Sequence, residues 1–519
     1  MSGTNLAEAG PPGMQETLPD PGALPAATTP TTPTTTPTPT TPTAPTATDR
    51  KRWLAFGVLG LATLMNVLDT TIANIALKPI HDTLGFTDAG LAWVINAYML
   101  TFGGFLLLAG RMGDLFGSRR VFLAGLVTFT LASLGCGLAQ SPLTLIVARA
   151  IQGLGAAVIT AVSLALIMDL FPDGPGRAKA MGVFAFIASG GGALGGVLGG
   201  FITAHFDWHW NFLINVPIGI AVYFGTRALV PDPKGIASGR LDVGGALTVT
   251  ASLLLAVYAV LQAKQDGWTS PTTLLRLAGA AALMLLFVLI ERRVAVPLVP
   301  LGLFAKRNIL AANTIGILWA AAMFAWFFLS SLYMQNILRY DPQRTGLAFV
   351  PADLLMAVFS IGLSARMVGR FGIRRPVALG LLLAAAGLAL FAVAPADGSF
   401  LAHVLPGMLL LGIGAGMAFN PLFLAAMSDA TPAEGGLASG LVNTAFMMGG
   451  ALGLAVLASL AASRTGALGG ADDPAALLGG YHLAFVGAAL CALVAAGVGL
   501  WLREPSPGAA EAARAPLAH

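Results

Sequence analysis

Charge is what this sequence has least of: 24 acidic and 28 basic side chains in 519 residues, 10% charged against 56% hydrophobic. An average soluble domain carries about 25% charged residues, and a water-soluble fold has no way to hide this much apolar surface. Cysteine is nearly absent too. Cys136 and Cys491 both fall inside apolar runs, which excludes a disulfide framework and a thiolate metal cluster. No Gly-rich loop ends in Gly-Lys-Ser/Thr, so nothing here is built to cradle ATP. The formal charge of +4 is dispersed over short loops and is too weak to attract nucleic acid. Neither a nucleophile paired with its base nor a metal-ligand cluster is visible, so the chain reads as no enzyme and as needing no cofactor.

What remains is apolar length. Windows such as 91–109, 121–139 and 377–394 run without a charge for about 18 residues or more, enough to cross about 30 Å of hydrocarbon as helix. Fourteen spans are expected, near 53–77, 91–110, 121–139, 142–170, 181–204, 211–230, 243–263, 273–292, 309–332, 345–368, 376–396, 401–427, 437–463 and 481–503. An even count puts both termini on one side. Of the 28 Lys and Arg, 21 fall in loops on that side, six on the other and Arg149 within a span, so the positive-inside rule places both termini in the cytoplasm. Residues 1–49, with a Thr/Pro tract from Thr28 to Thr48, are expected to form an extended, disordered cytoplasmic tail, and 504–519 a second one.

An internal repeat sets the architecture. Arg111-Met112 through Gly117, Arg119 and Arg120 recur 255 residues later as Arg366-Met367 through Gly372, Arg374 and Arg375. Gly153-Leu154-Gly155-Ala156 recurs after 259 residues from Gly412, and Gly191-Gly192-Ala193-Leu194-Gly195 after 258 from Gly449. Spans 2–5 therefore match spans 10–13. This gives an all-α integral membrane protein of two parallel six-helix halves, 53–230 and 309–503, with two inserted helices at 243–293. Parallel repeats suit alternating access around a site near the midplane.

At this point four segments carry a resemblance. Leu68-Asp69-Thr70-Thr71-Ile72-Ala73-Asn74-Ile75-Ala76-Leu77 resembles the first-helix motif of the fourteen-helix drug:proton antiporters of EmrB/QacA type, within the major facilitator superfamily. Leu145, Arg149, Gln152, Gly153, Gly155, Ala156 and Ala157 are similar to the family's fourth-helix motif, and Gly110 through Arg120 to its signature loop. Gly190 through Gly200 resembles the fifth-helix motif of its antiporters, with Gly195-Gly196 where the family usually has Gly-Pro. The resemblance covers about 53–503. It implies a proton-coupled antiporter in the bacterial plasma membrane, acting as a monomer and exporting a small, largely apolar compound such as an antibiotic, a drug or a secondary metabolite. The alternative is an uptake symporter or facilitator for a nutrient.

The residues give these implications a chemistry. An intramembrane carboxylate is costly and marks a functional site by default, which makes Asp69 the expected proton carrier. Helical rise puts Arg149 at a similar depth, where its approach or withdrawal would switch the proton affinity of a carboxyl. Asp353 is a second acid in the other half. Asn66, Asn74, Gln152 and Asn443 are expected to contact substrate. Gly110, Gly113, Asp114, Gly117, Arg119 and Arg120 are expected to latch the halves through charged hydrogen bonds at a tight turn. The stripes Gly191/Gly195/Gly199 and Gly192/Gly196/Gly200 are expected to let backbones pack closely. Trp208 and Trp210 fit an interfacial aromatic belt, and His205 and His209 lack the further ligand a metal would need.

Overall fold

A computed structural model describes residues 47–172, 174–232, 241–431 and 434–504, so the first tail and nearly all of the second lie outside the described residues. The long helices, in chain order, are α1 (Ala47–Ile75), α2 (Trp93–Phe116), α3 (Ser118–Gly137), α4 (Pro142–Leu170), α5 (Gly174–His205), α6 (Asn215–Leu229) and α7 (Val243–Asp266). They continue as α8 (Pro271–Arg293), α9 (Arg307–Leu332), α10 (Pro342–Val358), α11 (Arg374–Phe391), α12 (Leu405–Ser428), α13 (Gly435–Leu468) and α14 (Pro474–Gly499).

Local chemistry explains where many of them start. Ser141, Ser270, Asp341 and Asp473 each accept a backbone N–H of the first turn, and each is followed by a proline, whose missing donor costs nothing at that position. The break between α2 and α3 falls on Gly117 at φ 91°, and the repeat places Gly372 at φ 76° between α10 and α11. A side chain at either position would be strained, so the repeated glycine is a conformational requirement.

Among the described residues, twelve helices are long and apolar enough to cross a membrane. The two expected spans outside that set coincide with α5, 32 residues long, and with α10. Only 17 residues of α10 are regular before a π-helical turn, Phe359–Leu363, and an eight-residue helix, Ser364–Phe371, complete the crossing.

The repeat organises the packing. α2 lies against α13 and α5 against α10, which under the repeat is one pairing used twice, so a pseudo-twofold relates the halves. The glycine stripes of α5 separate its two neighbours. Gly191 and Gly199 face Val67 and Ile72 of α1, where an added Cβ would stand 2.9 Å from each side chain, and Gly195 faces Thr71. Gly192, Gly196 and Gly200 face α10: a Cβ on Gly196 would lie 3.1 Å from the Gly346 carbonyl, and one on Gly200 would lie 2.7 Å from that of Pro342. One stripe thus holds a half together, and the other joins the halves. The inserted α7 packs on α2, α13 and α8, while α8 is outermost, with 17% of its apolar window buried.

Candidate functional site

The most concentrated polar chemistry lies inside the first half. Arg149 on α4 donates from Nη1 to Asp69 Oδ2 on α1 at 2.5 Å, with both side chains wholly buried. Gln152, one turn further along α4, donates Nε2 to Asp69 Oδ1 at 2.6 Å and to Ser133 Oγ on α3 at 2.8 Å. Its Oε1 accepts from Arg149 Nη1 at 2.8 Å. Asn215 at the start of α6 donates to Asp69 Oδ1 at 3.0 Å, and Arg149 Nε donates to the Val94 carbonyl of α2 at 2.9 Å. The guanidinium carbon lies 4.3 Å from the centre of the Tyr98 ring and 5.7 Å from that of Phe212.

Five helices therefore converge on one carboxylate. Burying two charges is tolerable because each acceptor oxygen of Asp69 is hydrogen-bonded and because the pair neutralises itself. Satisfaction is incomplete on the cation: Arg149 Nη2 has no partner among the described residues. Adding a proton to Asp69 would remove the charge that Arg149, Gln152 and Asn215 are arranged to meet.

Asn66 lies beside this network and donates to Thr160 Oγ1 at 2.8 Å, while Tyr98 donates its hydroxyl to Asn66 Oδ1. Asn74 bonds back to the Thr70 carbonyl at 3.0 Å. Its own carbonyl accepts from Ser331 of α9 at 2.9 Å, and that of Ile75 accepts from Gln335 at 3.1 Å, so the halves are bridged at the face opposite the termini. Gln152, expected to meet substrate, is fully buried in the charge network, and Asn443 on α13 is half-buried. A cavity of about 620 Å³ opens at that opposite face, lined by Lys78, Leu91, Leu261, Phe328, Leu332 and Arg339 among others. None of Asn66, Asn74, Gln152 and Asn443 lines it.

Asp353 is 2% exposed on α10, and a Cβ on Gly192 would stand 3.7 Å from its carboxyl carbon. Asp69 and Asp353 thus lie at one level on opposite sides of α5. The signature loop differs from the expectation of a latch between halves. Arg119 donates to the Arg227 carbonyl at 2.7 Å and Arg120 to Asp232 at 3.3 Å, both at the end of α6 within the same half. Asp114 is exposed and lies 3.8 Å from Arg111 of its own helix. Gly113 admits Val162 at 2.7 Å from a would-be Cβ, whereas Gly110 faces open space. The turn is short and α6 ends beside it, so the arginines reach their nearest carbonyl and carboxylate.

Trp208 is buried and stacks on His209 at 3.7 Å between ring centres, so it does not serve the interfacial belt, whereas Trp210 is exposed. His209 meets Asp207 at 3.0 Å and His205 the Phe201 carbonyl at 3.0 Å. Ser133, Asn215 and Tyr98 are site members that the sequence reading left without a role. Their signal was available: each is a polar side chain within an apolar run, and Asn215 stands two residues before the proline of the segment opening the sixth span.

Residues 59–454 match the model of the Major Facilitator Superfamily. The chain belongs to that superfamily. Among curated relatives of this superfamily member, the puromycin resistance protein of Streptomyces alboniger is 39% identical, covering 81% of this chain and 84% of the relative. The cephamycin export protein of Amycolatopsis lactamdurans is 38% identical, over 84% and 89%, and the lincomycin resistance protein of Streptomyces lincolnensis 37%, over 86% and 92%. An auto-inhibited peptide transporter of the POT family shares the fold at a TM-score of 0.62 and 17% identity, over 87% of this chain and 96% of its own. The chain is therefore a multi-pass membrane transporter of small molecules.

Proposed function

We propose that this transporter exports an antibiotic, drug or secondary metabolite in exchange for protons, with Asp69 as proton carrier. The observation that carries the reading is the buried set Asp69–Arg149–Gln152–Asn215, in which side chains from two other helices meet the charge of one carboxylate on α1. The relatives named for puromycin, cephamycin and lincomycin support export, and their bacterial sources support a plasma membrane location. The bias of Lys and Arg toward one set of loops supports cytoplasmic termini, and a single copy acting alone completes the proposal.

A proton arriving on Asp69 frees Arg149 from its counter-charge, and the guanidinium is left with the Val94 carbonyl, Gln152 and the Tyr98 ring. α1 carries that change to α5, because Leu68 and Thr71 flank Asp69 and touch Gly195. α5 carries it to α10 through Gly192, Gly196 and Gly200. Asp353, lying against Gly192, is the second acid of this route and changes its hydration when α5 and α10 part. The α2–α3 turn is a staple whose Arg119 and Arg120 contacts are broken and remade as α6 moves, and Asn66, Asn74 and Asn443 meet substrate when the halves open. Coupling is adequate energetically, since about 2.3 kcal/mol per charge per 100 mV and about 1.4 kcal/mol per pH unit sustain a gradient of about a hundredfold or more.

The test is transport of puromycin, lincomycin or a cationic dye into energised inverted vesicles with a pH probe in the lumen. Substrate-induced loss of the pH gradient in wild type, absent in Asp69→Asn despite retained binding, supports the reading. Equal behaviour of the two variants removes Asp69 from coupling. Substrate uptake by intact cells, with no resistance, favours the nutrient symporter instead.

A further inference from the structure

The two inserted helices carry a pair of acids that the transport mechanism does not use. Asp242 caps α7, its Oδ1 accepting from the Gly245 amide at 2.7 Å, and Glu291 stands near the end of α8, its Oε2 accepting from the Val299 amide at 3.1 Å. Each residue therefore spends one oxygen on backbone. The other oxygens, Asp242 Oδ2 and Glu291 Oε1, are buried without a donor among the described residues, and the residues are 5% and 4% exposed.

Both orphan oxygens face one spot. A Cβ on Gly245 would lie 2.5 Å from Asp242 Oδ2 and 2.8 Å from Glu291 Oε1, and the two carboxyls are within hydrogen-bonding reach of each other. Neither can donate while ionised, and two like charges in one desolvated site exclude each other. Among the described residues no ion pair to either acid is formed. Arg292 and Arg293 beside Glu291 are exposed, Arg111 of the adjoining α2 pairs with Asp114, and Lys306 at the far end of the linker pairs with Glu434.

We infer that Asp242 and Glu291 bind one proton between them, as a carboxyl–carboxylate hydrogen bond that pins the α8–α9 linker to the inserted helices. The pin matters because of what the linker touches. Leu298 packs with Leu108 of α2 and Ala246 of α7, while Val299 and Leu303 pack with Leu107 of α2 and with Ala438 and Leu441 of α13. The segment thus straps the terminal ends of α2 and α13, one helix from each half, and any opening there has to move it. Loss of the shared proton at high pH leaves two facing carboxylates, and their repulsion releases the strap. The inserted helices thereby become a pH-sensing clamp on the face that carries the termini, separate from the Asp69 network.

The test uses the full chain in lipid nanodiscs with two readouts. Infrared spectra of wild type minus Glu291→Gln are expected to show the C=O stretch of one protonated carboxyl that shifts in heavy water, and its loss in the variant. Hydrogen exchange of residues 294–306, corrected for intrinsic rates, is expected to rise in wild type from about pH 5 to about pH 9 and to stay flat in Glu291→Gln, where the amide donates to Asp242 without a proton. Asp242→Asn, which keeps the helix cap, is expected to remove the same band. An identical band in wild type and in both variants overturns the shared proton, and linker exchange in wild type that ignores pH overturns the clamp.

Discussion

The pseudo-twofold lets each member of the charged network be compared with its counterpart in the other half. Gly191 meets Val67 where Gly449 meets Ile317, and Gly195 meets Thr71 where Gly453 meets Ala321, so Asp69 corresponds to Trp319. The α3 and α4 repeats pair Ser133 with Leu388, Arg149 with Met408 and Gln152 with Leu411. Trp319, Leu388, Met408 and Leu411 are all buried. One architecture thus encloses a hydrogen-bonded ion pair in its first copy and a packed apolar plug in its second. The fold does not need the charges, since the second half is built without them at the same positions. The buried ion pair is thus a feature of the first half alone, and under the proposed proton exchange that half carries the carboxylate whose charge the cycle changes.

The sharpest way to break this comparison is to delete one partner from the network and make a matched change in the plug. Arg149→Leu strands the Asp69 charge in a dry interior, a loss of about 3–5 kcal/mol, and should abolish gradient-driven transport. Met408→Leu conserves volume and should cost less than about 1.5 kcal/mol while leaving transport near wild type. Thermal unfolding in detergent and the vesicle assay read both. Comparable damage from the two changes would mean that burial, and not charge, distinguishes the halves.

The interface between the halves offers a second contrast, because glycines in its two copies meet different atoms, although Gly450 is the repeat partner of Gly192 and Gly200 that of Ala458. A side chain on Gly200 runs into backbone, the Pro342 carbonyl at 2.7 Å and the Gln343 Cα at 2.9 Å. One on Gly450 first meets the end of a flexible side chain, Met99 Cε at 2.5 Å, and also the Phe324 ring. Gly200→Val should therefore cost about 1–3 kcal/mol and slow the rocking step, while Gly450→Val should cost less because Met99 can turn away. Stability and the substrate turnover rate measured on both variants decide this.

How much of this was legible beforehand follows from which interactions are local. Apolar length, the 255-residue repeat, the glycine stripes and the unusual Asp69 and Arg149 are properties of the sequence itself, and fold class followed from them. The partners of those residues are not local: Asn215 stands 146 positions from Asp69 and Ser133 is 19 from Gln152, so only packing brings them together. The arginine turn misled for the same reason, since its capture by Arg227 and Asp232 depends on where α6 ends. The regular part of α10 stops early because a π-helical turn interrupts it, which periodicity of apolar residues does not reveal.

The second copy of that turn is held by a different device, and a smaller effect should separate them. Glu504 accepts from the amides of Ile373 at 2.7 Å and Arg374 at 3.1 Å, capping the start of α11 from the chain's end, whereas the first copy relies on Arg119 and the Arg227 carbonyl. Glu504→Ala should cost about 1 kcal/mol, the usual worth of a cap, and raise hydrogen exchange at the start of α11 alone. An increase at the start of α3 as well would show that the two turns are coupled across the halves.

The smallest effect concerns acid. Lys306 donates to Glu434 at 2.7 Å, and this hydrogen bond, with those from Thr431, holds the Glu434 carboxyl down at about 2 from its ordinary 4.5. A carboxyl lowered on folding stabilises the folded state above its unfolded value and loses that contribution as pH falls toward its folded one. The contact is exposed and screened by salt, so its share is slight. Wild type should lose a little more stability than Glu434→Gln between about pH 4.5 and about pH 2, and the gap should shrink in high salt. The contact joins the starts of the second half's first and fifth helices, so the acid-sensitive increment should appear in hydrogen exchange at the starts of α9 and α13. An increment spread evenly over both halves would mean that acid acts on the molecule as a whole and not through this contact.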